Sequence, residues 1–173
     1  MVLGLLLMLN LGDVGTRRTV PIDGVQMAKC NENEIATIIA RETGVSLQGR
    51  KDLGVWGKTD ESSKLSPDRF LFFEIEAGQK HPNTNVLKLW PYLEENPGAS
   101  VILAQVFVEG SACCDSSRGK LASWLGAKLE SIFPDRFRYC RLLFSRERHC
   151  LIDGLDSLKD LLIGRKTRRR QLP

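Results

Sequence analysis

A single layered α/β domain, with a mixed central sheet flanked by helices, is the fold this sequence predicts, and three observations predict it. Phe70–Phe73 and Val101–Val108 are apolar runs with the length and composition of buried strands. Stretches of helical spacing separate such runs, and Gly or Pro breakers close several of them. At 173 residues the chain is long enough for one domain with a real core and too short for two comfortable ones.

In chain order, residues 1–30 form an N-terminal segment of unassigned structure. Met1-Val2-Leu3-Gly4-Leu5-Leu6-Leu7-Met8-Leu9 lacks the basic flank and cleavage site of a secretion signal, and it is too short to span a bilayer. The predicted domain covers 31–164. Asn31 or Asn33 caps a helix through Glu34–Glu42, with Ile35, Ile38 and Ile39 as its apolar stripe and Gly44 as its stop. Lys51–Trp56 reads as a strand, and Thr59–Asp68 as a polar loop closed by Ser66-Pro67-Asp68. A short strand near Val45–Leu47 is a further option.

Phe70–Glu76 is the next strand, ending at Gly78. Thr84–Glu95 has helical spacing and should kink at Pro91, which frees the carbonyl of Leu87. Val86, Leu89, Trp90 and Leu93 form its apolar side, and Asn85, Lys88 and Tyr92 a polar flank. Ser100–Val108 is a buried strand. Gly119–Phe133 is a helix with Leu121, Trp124, Leu125 and Leu129 on its apolar side. Phe137–Phe144 is another strand, Leu155–Ile163 an amphipathic helix, and 165–173 a basic tail. The order is α, β, β, α, β, α, β, α.

Composition narrows the function classes. The hydrophobic fraction of 42% and charged fraction of 27% are those of an ordinary globular domain. A net charge of +4 fits a nucleic-acid partner without demanding one. Five cysteines without a C-x-x-C pair indicate neither a disulfide framework nor a zinc ribbon, which suits a reduced, cytoplasmic protein with no membrane attachment. Cys140, His149 and Cys150 match no common zinc spacing. Phosphate-cradling glycine loops, dinucleotide fingerprints and serine or cysteine nucleophile patterns are absent.

The chemistry concentrates in Phe70-Leu71-Phe72-Phe73-Glu74-Ile75-Glu76. Alternation along a strand puts Glu74 and Glu76 on one face. Two carboxylates ending a hydrophobic strand require a cationic partner, and hard oxygens suit Mg²⁺, with Mn²⁺ as its usual substitute. The plainer reading is an edge strand whose glutamates sit in water. If the strands are neighbours, Asp52 joins Glu74 as a metal ligand, Glu76 is a ligand or base, and Lys88 reaches back over the site as an assisting cation.

These residues resemble the PD-(D/E)xK, or restriction-endonuclease-like, superfamily. The likeness rests on Lys51-Asp52-Leu53, Glu74-Ile75-Glu76 and Asn85-Val86-Leu87-Lys88, within Asn31–Val108. It implies an αβββαβ core and Mg²⁺-dependent cleavage of DNA by a restriction- or repair-type endonuclease, often as a homodimer. Asp52, Glu74, Glu76 and Lys88 are its implied catalytic residues, with Asp52 and Glu74 at the metal. Two positions depart from the pattern. Lys51 replaces the proline, and Glu76 stands where the lysine usually is, a loss that Lys88 in the following helix would compensate. Without compensation, a non-catalytic member that binds nucleic acid or protein is the alternative.

Accessory candidates are Glu34, placed like the family's helix glutamate, with Glu42 as the other option, and Gln79 and Asn85. Lys80 and His81 follow the strand, with His81 read as a loop-capping residue. Trp56, Trp90 and Trp124 are assigned to the core. The tail from Arg165 offers charge for a nucleic-acid backbone.

Overall fold

The computed structural model describes residues 31–164; the N-terminal segment and the basic tail lie outside the described residues. The first helix, α1 (Glu32–Thr43), opens on a reciprocal cap. Asn31 accepts from the Glu34 amide, and the Glu34 carboxylate accepts from the Asn31 amide. It ends at Gly44 in a left-handed conformation.

β1 (Glu61–Ser66) and β2 (Arg69–Glu76) then form an antiparallel hairpin around Pro67-Asp68. Two short helices, α2 (Pro82–Leu87) and α3 (Leu89–Glu95), cross to β3 (Ser100–Val108). Next, α4 (Ser117–Ile132) crosses to β4 (Phe137–Ser145). β5 (Cys150–Asp153) and α5 (Leu155–Leu162) complete the domain.

The five strands lie in sequence order, with β2, β3 and β4 parallel and the two edges antiparallel. The fold is therefore α/β with one mixed sheet, as the sequence predicts. Both parallel crossovers step one strand the same way, so their helices share a face. Under the other face Leu71, Phe73 and Ile75 pack with Ile35 and Ile39 of α1 and Leu158 of α5. On the crossover face Phe72 packs with Val86, Leu89, Tyr92 and Leu93. Glu74 and Glu76 belong to this second face by alternation, at the carboxyl end of β2.

Several elements differ from expectation. Lys51–Trp56 is no strand: it holds one isolated bridge, Asp52 to Lys58, and a single 3₁₀ turn at Gly54–Trp56. The polar stretch after it is the strand. As an edge strand, β1 carries serines because neighbouring chain satisfies them, with the Ser62 hydroxyl donating to the Gly49 carbonyl at 2.7 Å. No strand forms at Val45–Leu47, although both side chains pack against the core. β5 was not expected.

The kink at Pro91 is a full break at Lys88, since proline has no N–H for the Leu87 carbonyl. The restart changes the helical phase, which brings Tyr92 in and turns Trp90 out. Trp56 and Trp124 are also exposed rather than core. The indoles of Trp56 and Trp90 donate instead to Glu95 and Glu94.

α4 packs its small residues, Gly119, Ala122 and Gly126, inward with Leu129, which leaves Leu121 and Trp124 outside. Tyr139 sets this arrangement, because a Cβ on Gly126 would run into its ring. Gly126→Ala is expected to lower unfolding free energy by about 1–3 kcal/mol through overpacking, measurable by urea denaturation.

Candidate active site

Glu74 is 1% exposed and Glu76 0% exposed, so two carboxylates are buried side by side. The Lys88 ammonium lies 2.7 Å from Glu74 Oε1, an ion pair without the angle of a hydrogen bond. Its hydrogen bonds go to the Lys58 carbonyl at 2.7 Å and to Asn85 Oδ1 at 3.2 Å. The helix break places this lysine: Lys88 is the hinge residue between α2 and α3 and turns back over β2.

Glu76 is held differently. Its Oε1 accepts from Gln105 Nε2 at 2.6 Å and from Asn85 Nδ2 at 3.0 Å. Gln105 lies on β3 and is itself fixed, donating to the Pro82 carbonyl and accepting from the Tyr139 hydroxyl. Asn85 also donates to Gln79 Oε1 at 3.0 Å. The second oxygen of Glu76 is buried with no hydrogen-bond partner.

Asp60 completes the cluster. Its amide bonds the Phe73 carbonyl and its Oδ2 accepts from the Ile75 amide at 2.7 Å, which brackets Glu74 on the adjacent strand. Burial pushes the Glu74 carboxyl up to about 8; Lys88 opposes that rise, and the charge of Asp60 adds to it. Glu76 is likewise raised by burial, against the amides of Gln105 and Asn85. Glu32 at the start of α1 is raised by burial and then by Asp60, so the first helix also presents an acid to this region.

The predicted residues therefore separate into two groups. Glu74, Glu76, Lys88, Asn85 and Gln79 come together. Asp52 stays outside: it is exposed, and its carboxylate accepts from the Gly54 amide and pairs with Lys58 at 3.5 Å. The Gly54 amide bond, ahead of the lysine charges, holds its pKa below the usual carboxylate value. Glu34 is consumed by the cap of its own helix. His81 sits at the start of α2 without a side-chain capping bond.

Asp60, Glu32 and Gln105 were missed from sequence. A count from the turn does not find Asp60, because a register shift between Lys64 and Ser66 intervenes: counting from Ser66 opposite Arg69 puts Glu61 beside Glu74, whereas the observed pairing of Glu61 with Phe73 puts Asp60 there.

Among the described residues no three Asp, Glu, His or Cys side chains form a ready-made metal cage. Mg²⁺ does not require one, since it is commonly held by one or two carboxylates with water and substrate phosphate. The donor chemistry fits such an ion: hard oxygens, an unpartnered buried Glu76 oxygen, and a Glu74–Lys88 pair beside the charges of Asp60 and Glu76. Compared with family models, with curated proteins and with solved structures, the chain matches none. No helix among the described residues is long and apolar enough to cross a membrane.

Proposed function

We propose that this protein is a Mg²⁺-dependent DNA endonuclease of restriction or repair type, related to the PD-(D/E)xK superfamily. One observation carries the reading: a buried Glu74–Lys88 pair flanked by Asp60 and Glu76 at the carboxyl end of a parallel strand. Open α/β sheets bind ligands at such strand ends. The order of helix, antiparallel hairpin, helical crossover and parallel strand supports an αβββαβ kinship, with the Asp52–Lys58 bridge where another strand would be.

Asp60 and Glu74 would hold the ion, Asp60 in the role expected of Asp52. A bound Mg²⁺ would polarise a phosphoryl oxygen and lower the pKa of water. The chain's own residues supply the rest. Lys88 brings a positive charge to the place where the scissile phosphate gathers negative charge. Gln105 and Asn85 fix Glu76 through one oxygen and leave the other available to accept a proton from an attacking water. A pair of copies would serve to cut both strands of a duplex.

The test is relaxation of supercoiled plasmid in Mg²⁺ or Mn²⁺. Nicking that is abolished by EDTA and by Glu74→Ala is the expected result; DNA binding without cleavage in either metal would favour the non-catalytic alternative.

A further inference from the structure

The loop between Lys51 and Thr59 is built to present apolar side chains at the edge of this site. Lys51 and Thr59 close its base, with the Thr59 amide donating to the Lys51 carbonyl and the Thr59 hydroxyl accepting from the Lys51 amide. Gly54 and Gly57 at positive φ tighten the tip, where side chains with a Cβ would be strained. Leu53 points into the core, whereas Val55 is 89% exposed and Trp56 39%. Val55 has the greatest exposure of the large hydrophobic side chains among the described residues. The Trp56 indole is oriented in advance by its bond to Glu95 at 3.0 Å.

This loop is continuous with the chemistry. The Lys58 carbonyl accepts from Lys88, and Asp60 follows Thr59 directly. Beside the loop lies an open cavity of about 420 Å³, whose lining includes Lys51, Phe70, Tyr92, Glu95 and Asn96. Lys51 stands 5.3 Å above the Phe70 ring. Phe70 shares its strand face with Glu74, four residues on, a distance of about 13 Å at the rise of a β-strand.

The exposed Trp56 indole at the cavity's edge and the half-buried Phe70 ring within it, with carboxylate and amide groups around them, suit the flat face and polar edge of a nucleobase. The buried Tyr92 adds only to the cavity wall. The lining's acids, Glu95 and Asp68, disfavour a phosphate inside the cavity and leave Lys51 as its one cation among the described residues. We propose that Trp56 and the Phe70–Tyr92 cavity receive an unstacked base of the substrate. The substrate class is then nucleic acid with unpaired nucleotides near the scissile phosphate, rather than uniform duplex. This rests on the nuclease reading and adds the substrate structure to it.

The full-length protein is titrated in EDTA against two fluorescent probes, a plain DNA duplex and the same duplex with a single-stranded flap. Wild type should prefer the flap, and Trp56→Ala should weaken flap binding roughly 5- to 100-fold, the range for loss of one stacked base. Trp56→Phe should recover most of it, and Trp124→Ala, an exposed tryptophan on α4, should change nothing. Equal affinity of wild type for both probes, or unchanged flap affinity in Trp56→Ala, would overturn the inference while leaving the nuclease reading intact. Binding of neither probe, together with an inert plasmid assay, would overturn both.

Discussion

Asp60→Asn is expected to lower plasmid cleavage at least 10³-fold, while Asp52→Asn leaves it within about threefold of wild type. The expected scale follows from removing charge stabilisation at a phosphoryl-transfer centre, where loss of a single preorganised group commonly costs 10²–10³-fold and loss of a metal ligand more. Both aspartates precede Glu74 in sequence, yet only Asp60 brackets it, through the Ile75 amide at 2.7 Å. Asp52 is tied to its own turn and to Lys58. Asn preserves the shape of Asp60 and its acceptor oxygen for Ile75, so the effect reads charge rather than folding. DNA affinity should fall little in either variant, because contacts to phosphate dominate binding. Comparable rates from the two variants, measured as initial nicking rates at saturating Mg²⁺, would count against the assignment of Asp60.

Lys88→Met is the second large effect, and it is one of stability that depends on pH. The Glu74 carboxyl titrates at about 8 in the fold against an ordinary value of 4.5. Between those values the folded chain keeps a proton that the unfolded chain has lost, so stability falls as pH rises from about 4.5 to about 8 and then levels. For wild type without metal that loss is on the order of 3–5 kcal/mol. Removing the ammonium leaves Glu74 buried without its cation. The carboxyl then keeps its proton to higher pH still, so above pH 8 the variant should go on losing stability by about 1.4 kcal/mol per pH unit where wild type levels, reaching about 2 kcal/mol at pH 9.5.

Near pH 5 Glu74 is protonated in both proteins, and the difference should shrink to about 1 kcal/mol of lost packing. Urea denaturation in EDTA at pH 5, 8.5 and 9.5 measures both. A difference independent of pH would mean that Lys88 acts by packing alone. Saturating Mg²⁺ should restore part of the wild-type loss at pH 8.5, since an ion that binds only the folded chain stabilises it by mass action.

Much of this architecture is legible in the sequence because burial leaves a strong pattern. Leu71–Phe73 and Val101–Val108 are inside whatever their neighbours do, and the sheet follows from them. β1 was hidden for the opposite reason. An edge strand satisfied by adjacent backbone and closed by a two-residue turn can be written as Glu-Ser-Ser-Lys-Leu-Ser, which reads as loop. Asp60 was hidden with it. Conversely, Lys51–Trp56 looks like a strand because Leu53, Val55 and Trp56 are apolar, although two of the three face outward.

The choice of Glu34, with Glu42 as its alternative, overlooked a signal that was present. Asn31 with Glu34 three residues on is a capping box, which commits Glu34 to its own helix end. Lys88 was legible from its place on the polar flank of the helix that follows the carboxylate strand; the break that Pro91 forces one turn earlier aims it at Glu74. The buried Gln105 was not legible: a lone polar residue in an apolar strand shows that it is bonded without showing to what.

Anomalous diffraction from crystals grown in saturating Mn²⁺ is the most direct measurement of the central assignment. The predicted result is a metal peak at coordination distance, roughly 2.1 Å for a small hard cation, from carboxylate oxygens of both Asp60 and Glu74. Lys88 should be displaced from Glu74 in that structure. A peak at Asp52, or none at this cluster with the Lys88–Glu74 pair intact, would contradict the assignment.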